Sequence, residues 1–341
     1  MTATTPGLVC AHHHLYSALA RGMPAPPRTP TNFTEILDQI WWRLDAALDL
    51  DLVRWSALLG AVEALEAGTT AIVDHHASPS AIDGSLDVVA AACAEVGVRV
   101  VCAYEVTDRH GPAGAKAGLA ENERFLRAGG RGLVGAHACF TLGDETLDAV
   151  VGLAADLGVG VHIHVGEDAV DAGAAERLRP HARDDWLLAH CVHVDPPLAG
   201  TIAHNPRSNM NNGVGYARPA RWSAAGNRVV LGSDGIGAAM VDEFALAYVA
   251  QRADDVTATP DDAWGWLQAG ADLVPEVRGD QVTWAADRVD PWYLALTPGV
   301  RAQRVVVDGD VVMDGGVCTR VDAARIRARA WEEAQRLWSM L

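Results

Sequence analysis

Four short apolar runs, residues 7–10, 159–163, 186–189 and 229–232, each lead into a metal-ligating or acidic side chain at their C-terminal end. The first leads to His12-His13-His14, the second to His164 with Glu167 three residues on, the third to His190 and the fourth to Asp234. Runs of this length read as β-strands, and helix-like segments lie between them. Side chains delivered from the ends of separate strands meet when those strands lie parallel around one barrel. An eight-stranded α/β barrel gathers such groups at a single mouth.

The rest of the chain continues the alternation. Strands are expected at 69–74, 98–104, 132–137 and 201–204 besides the four above, which makes eight. Helices are expected at 33–48, 52–67, 86–96 and 144–157, the last three stopped by Gly68, Gly97 and Gly158. An open doubly wound sheet would want a Gly-rich phosphate turn after its first strand, where this chain has three histidines. The fold class is therefore α/β, a (β/α)8 TIM barrel over residues 1–298. Residues 299–341 form a C-terminal appendage: a hairpin (304–307 and 310–313) turning at Asp308-Gly309, then an amphipathic helix over 322–341. That helix is expected to present Ile326, Ala330, Trp331, Ala334 and Leu337 on one face.

Half of the 341 residues are apolar, enough for a large core. A net charge of −17 argues against nucleic acid or an anionic membrane as partner, leaving a small-molecule substrate. No apolar stretch reaches membrane-spanning length, and no signal peptide precedes the first strand. Six scattered cysteines without a CxxC pair read as reduced, buried thiols of a cytoplasmic protein. A homodimer is the expected assembly.

His12 and His14 are two apart on a strand, so their rings point the same way, into the barrel, while His13 faces away. With His164, His190 and Asp234 they make a metal site that needs no cysteine, and Glu167 is left for proton transfer. A lone strand-end histidine is more often a satisfied polar residue; five such groups in register are not.

Pro6-Gly7-Leu8-Val9-Cys10-Ala11-His12-x-His14-Leu15, His164-x-x-Glu167, Ala189-His190-Cys191-Val192-His193, Ala203-His204-Asn205-Pro206-x-Ser208-Asn209 and Gly232-Ser233-Asp234-Gly235 occur in this order. In that order they resemble the amidohydrolase superfamily, in particular its cytosine/guanine/S-adenosylhomocysteine deaminase and chlorohydrolase branch. Residues 41–45, 74–79 and 209–213 are most similar to SsnA-type aminohydrolases.

The resemblance implies a metal held by His12, His14, His164 and Asp234, with His190 either a ligand or slightly farther away on the attacking water. It also implies substrate or supporting contacts from His137, His193 and His204. Binuclear members bridge two metals with a carbamylated lysine on the fourth strand. The only lysine here, Lys116, precedes that strand, so one divalent metal is expected, zinc ahead of iron. His75 or His76, the pair Trp41 and Trp42, and Arg207 are weaker pocket candidates.

The implied activity is hydrolysis of a non-peptide C–N bond: deamination of an amino-substituted nitrogen heterocycle, with Glu167 and Asp234 moving protons and His190 assisting. Dechlorination or dealkylamination of a triazine-like ring, deimination of a formimino or guanidino compound, and a metal-binding barrel without turnover are the alternatives. One departure stands out. Relatives carry a long segment before the HxH strand that pairs with C-terminal strands in a β-sandwich. Here the hairpin reads as its remnant, without N-terminal partner strands, and residues 272–301 do not follow the usual pattern of the family.

Overall fold

The computed structural model describes residues 3–235 and 237–341. After a short strand β1 (Ala3–Thr5) come eight strands: β2 (Leu8–His13), β3 (Thr69–His76), β4 (Arg99–Tyr104), β5 (Val134–Ala138), β6 (Val161–Val165), β7 (Leu187–His190), β8 (Thr201–His204) and β9 (Val229–Leu231). Strands β2–β4 and β5–β9 form two parallel runs. Single parallel bridges, Cys102 to Gly132 and Val106 to Ala136 between β4 and β5, and His13 to Asp234 beyond β9, join the runs into a closed barrel. The expected TIM barrel is present. Every residue of β3 is buried, as expected of a parallel strand covered on both faces.

Val9, Ala11, Ala71, Val73, Val101, Leu187, Ala203 and Val230 fill the lower barrel, plugged from beneath by Val274 and Val277. A larger apolar layer lies between the strands and the surrounding helices. The polar groups are gathered above this plug, at the C-terminal ends of the strands. The β2–β3 pairing slips by one residue between Cys10 and His13. Plain alternation from Val9 and Ala11 would carry His13 into the barrel. The extra residue re-aims the chain, as bulges do, so His12 and His14 enter and His13 turns aside to Ser233 Oγ at 3.1 Å.

The first expected helix is broken into Phe33–Ile36 and Trp42–Ala47 by a wider π-helical turn, Leu37–Trp41. Such turns recur at functional sites, and this one carries Trp41 to the cleft described below. In the final helix, Ala323–Trp338, Ile326, Ala330, Ala334 and Leu337 are buried but Trp331 is exposed. One residue past Ala330 is a rotation of about 100°, which takes Trp331 off the packed stripe. All six cysteines are buried and free. Among the described residues, no helix is long and apolar enough to cross a membrane.

The small sheet corrects two expectations. Its order is β1, then β10 (Gln281–Trp284), β11 (Ala302–Val307), β12 (Asp310–Asp314) and β13 (Val317–Cys318), all antiparallel. The hairpin thus pairs with Gln281–Trp284 from residues 272–301, and that strand in turn pairs with the N-terminal strand Ala3–Thr5. A division after residue 298 runs through this sheet, because two of its five strands come from before it. Asp308 and Gly309 both have positive φ, 51° and 86°, as a type I′ turn requires.

Fully buried Asp280 ties the sheet to the barrel floor. It accepts from Arg99 Nη1 at 2.6 Å, Arg99 Nη2 at 2.9 Å and Thr70 Oγ1 at 2.6 Å. Removing one partner of such a pair leaves a desolvated charge behind. Asp280→Ala is expected to destabilise the protein by about 3 kcal/mol or more, read as a lower midpoint in urea with the metal site intact.

Candidate metal centre

Four strand ends converge on one point. His12 Nε2 and His14 Nε2 lie 3.2 and 2.8 Å from Asp234 Oδ1, and His164 Nε2 lies 3.2 Å from His14 Nε2. The outer nitrogens of the three rings are tied off. His12 Nδ1 contacts His162 Nε2 at 2.8 Å, His14 Nδ1 contacts the His75 carbonyl at 2.6 Å, and His164 Nδ1 contacts the His137 carbonyl at 2.8 Å. An Nδ1–H spent this way leaves the Nε2 lone pair facing inward, the tautomer a metal ligand needs. His190 follows the same rule: Nδ1 is held by Asn209 Oδ1 at 2.8 Å, while buried Nε2 has no hydrogen-bond partner.

These donors suit a divalent cation. Ligating atoms of His12, His164, His190 and Asp234 lie within 4.8 Å of one another, as do those of His12, His14, His75 and His164. Burial lowers the pKa of His12 to about 4 and takes that of His164 well below the usual value, so both are neutral donors. Burial also opposes charge on His14 and Asp234. Even so, Asp234 and Glu105 hold His14 well above the ordinary imidazole range, and His12 and His14 hold Asp234 well below the ordinary carboxylate range. The centre attracts positive charge. Two of its residues, His190 and Asp234, have φ of 73° and 58°, left-handed values that cost non-glycine residues energy and concentrate at functional sites.

Glu167 faces His190, Oε2 to Nε2, at 3.6 Å. Burial pushes its pKa up to about 7, with Asp234 adding to the rise against an opposing effect of His190. A short helix, Pro206–Asn211, and the residue after it support the centre. Ser208 Oγ donates to Asp234 Oδ2, Asn209 holds His190, and Asn212 Nδ2 donates to Glu167 Oε1 at 3.2 Å.

A cleft with about 760 Å³ of empty space, its open mouth included, reaches down to His14, His164, Glu167 and Asp234. Phe33, Trp41, Trp42 and Phe140 form apolar walls, and buried Asp45 pairs with Arg109 at 3.0 Å in the lining. His137 lines this cleft, with Nδ1 on Thr141 Oγ1 at 2.8 Å. His193 and His204 do not line it. His193 is exposed and bonded to the Val214 carbonyl at 2.6 Å, while His204 is buried against Tyr216 and Trp266. His193 lies in the loop past β7 and His204 is held by its packing, which motif order alone does not reveal. His76 bonds to Ser78, and Arg207 is spent on buried Glu243 at 2.6 Å. Lys116 lies exposed on the outer helix Gly111–Arg127, away from the centre.

Three residues at the centre were missed by sequence reasoning. His162 precedes His164 by two, so strand alternation alone could have placed it inside. It stacks on His75 with 4.2 Å between ring centroids. Buried Glu105 directly follows β4, as His14 directly follows β2, and it approaches His14 Nδ1 at 3.1 Å. Asn212 carries no local signal.

A barrel with imidazoles and a carboxylate gathered at its C-terminal mouth, beside a partly buried carboxyl of raised pKa, defines a class: metal-dependent hydrolases. The model of the amidohydrolase family matches residues 3–266. A 5-methylthioadenosine/S-adenosylhomocysteine deaminase of Desulforudis audaxviator is 30% identical over an alignment spanning 98% of this chain and 86% of that protein. A 5′-deoxyadenosine deaminase of Methanopyrus kandleri is 27% identical with the same coverage. Among solved structures, a zinc-bound adenosine deaminase from Xanthomonas campestris superposes with a TM-score of 0.84 at 21% identity, over 99% of this chain and 86% of the other. Zinc-complexed atrazine chlorohydrolase from Arthrobacter aurescens gives 0.81 at 23% identity, over 98% and 88%. The chain belongs to the amidohydrolase family. It is a metal-dependent hydrolase of the aminohydrolase type.

Proposed function

We propose that this protein hydrolytically deaminates a 6-aminopurine nucleoside or a 5′-modified derivative, releasing ammonia. The observation that carries the reading is partly buried Glu167, set beside His190 and Asp234 at the floor of an aromatic-walled cleft. The deaminase names of the relatives support the purine ring. The deamination chemistry rests on the residues.

His12, His14, His164 and Asp234 would hold one divalent ion, with His190 beside it. Such an ion supplies Lewis acidity that brings the pKa of a water molecule toward neutrality. Asp234 accepts that water's proton. Protonated Glu167 donates to the ring nitrogen as the neighbouring carbon is attacked; now ionised, it takes the proton of the new hydroxyl and passes it to the amine, which leaves as ammonia, and the proton held by Asp234 returns Glu167 to its acid form. His190, its tautomer fixed by Asn209, presents Nε2 to the attacking oxygen. The aromatic walls stack on the ring and exclude bulk water.

The decisive experiment offers adenosine, 5′-deoxyadenosine and 5′-methylthioadenosine to the zinc-loaded protein and assays ammonia. A chlorinated triazine assayed for chloride serves as the counter-test. Chloride released in place of ammonia overturns the deaminase reading, and no turnover of any of them by the loaded protein favours a barrel that only binds metal. Metal analysis is expected to give about one equivalent per chain. Two equivalents would contradict the single-ion arrangement.

A further inference from the structure

The short helix after β8 puts one amide between the two carboxyl groups that handle protons. Asn212 Nδ2 lies 3.2 Å from Glu167 Oε1 and 3.3 Å from Ser208 Oγ. Ser208 in turn donates its hydroxyl hydrogen to Asp234 Oδ2. The same amide orientation lets Asn212 Oδ1 accept from Asn211 Nδ2 at 3.4 Å on the exposed side. Asn212 therefore spends one N–H on Glu167 and the other on the hydroxyl that holds Asp234. Both carboxyl groups are oriented from a single side chain that lines the cleft but lies outside the metal donor set.

We infer that Asn212 is a positioning residue for the reaction: it occupies Glu167 Oε1 and thereby leaves Oε2 as the oxygen facing the reaction centre. A carboxyl free to rotate about its last bond would present either oxygen, and its proton could point away from the substrate. A donor fixed on Oε1 removes that choice, because Oε1 must accept. Oε2 is the oxygen directed at His190 Nε2. Through Ser208, the same amide keeps Asp234 Oδ2 occupied, so Asp234 Oδ1 is the oxygen turned toward His12 and His14. The use made of the Glu167 carboxyl rests on the deaminase reading above; the orientation itself does not.

The test compares Asn212→Leu, Asn212→Asp and Asn212→Gln with the wild type, all zinc-loaded. Asn212→Asp keeps the shape and loses the donor, whereas Asn212→Gln keeps the amide on a longer arm. The infrared band of the Glu167 carboxyl, isolated by difference against Glu167→Gln, is expected to move in Asn212→Leu and Asn212→Asp and to return toward its wild-type position in Asn212→Gln. Bound zinc should stay at the wild-type level throughout. With adenosine as substrate, kcat is expected to fall about 10- to 100-fold in Leu and Asp variants while KM changes little, the signature of lost orientation. Asn212→Gln should recover part of the loss. A carboxyl band that stays in place in both donor-less variants overturns the inference. A wild-type enzyme that leaves adenosine untouched counts against the deaminase reading alone, because the band still reports the orientation.

Discussion

Asp234→Asn is expected to lose turnover by about 10⁴-fold, the upper end for removing a proton-transfer group, and to lose tightly held metal with it. The change preserves shape, so the protein should fold. It removes the negative charge that His12 and His14 approach at 3.2 and 2.8 Å in a buried cluster of imidazoles. It also replaces an acceptor of the Ser208 hydroxyl with a group that can donate, which sets two donors against each other. A chelator competition assay should show weaker metal retention in the variant, alongside the loss of rate. Wild-type metal affinity together with full activity would mean that Asp234 is neither ligand nor base.

Glu167→Gln should separate the two functions that Asp234 combines. Glutamine keeps the size and an acceptor for Asn212, and residue 167 lies outside the convergent donor sets. Metal content should therefore match the wild type while the rate falls about 10²–10⁴-fold, the usual worth of general acid–base catalysis. The pH profile carries the same signature. A general acid works in its protonated form, and burial raises Glu167 to about 7. On this reading kcat/KM is level below that value and declines about tenfold per pH unit above it. A profile that keeps rising well past pH 7, or near-normal turnover by metal-loaded Glu167→Gln, would remove Glu167 from the mechanism.

The barrel could be read from the sequence because its signals are short-range. An apolar run of strand length, a helix stopped by glycine and a polar residue at a strand end are all written in consecutive positions, as at residues 144–164. The placement of His12, His14, His164, His190 and Asp234 around one mouth then follows from topology, since parallel strands of one barrel end on the same side. His162 and Glu105 obeyed the same rules and could have been found by applying them to every strand.

Other features depend on contacts between distant parts of the chain. Ala3–Thr5 is too short to announce itself as a strand and gains its identity by pairing with Gln281–Trp284, almost the whole chain away. The bulge before His13 is a property of the β2–β3 register, and neither strand shows it alone. His193 and His204 sit in motifs as clear as that of His190, yet local packing turns them off the cleft. Asn212 reaches Glu167 across 45 residues. Strand periodicity fixes which side of a strand a residue occupies, but register, bulges and loop packing fix where that side points. Those arise from hydrogen bonds and close packing between segments far apart in the chain, which no local window contains.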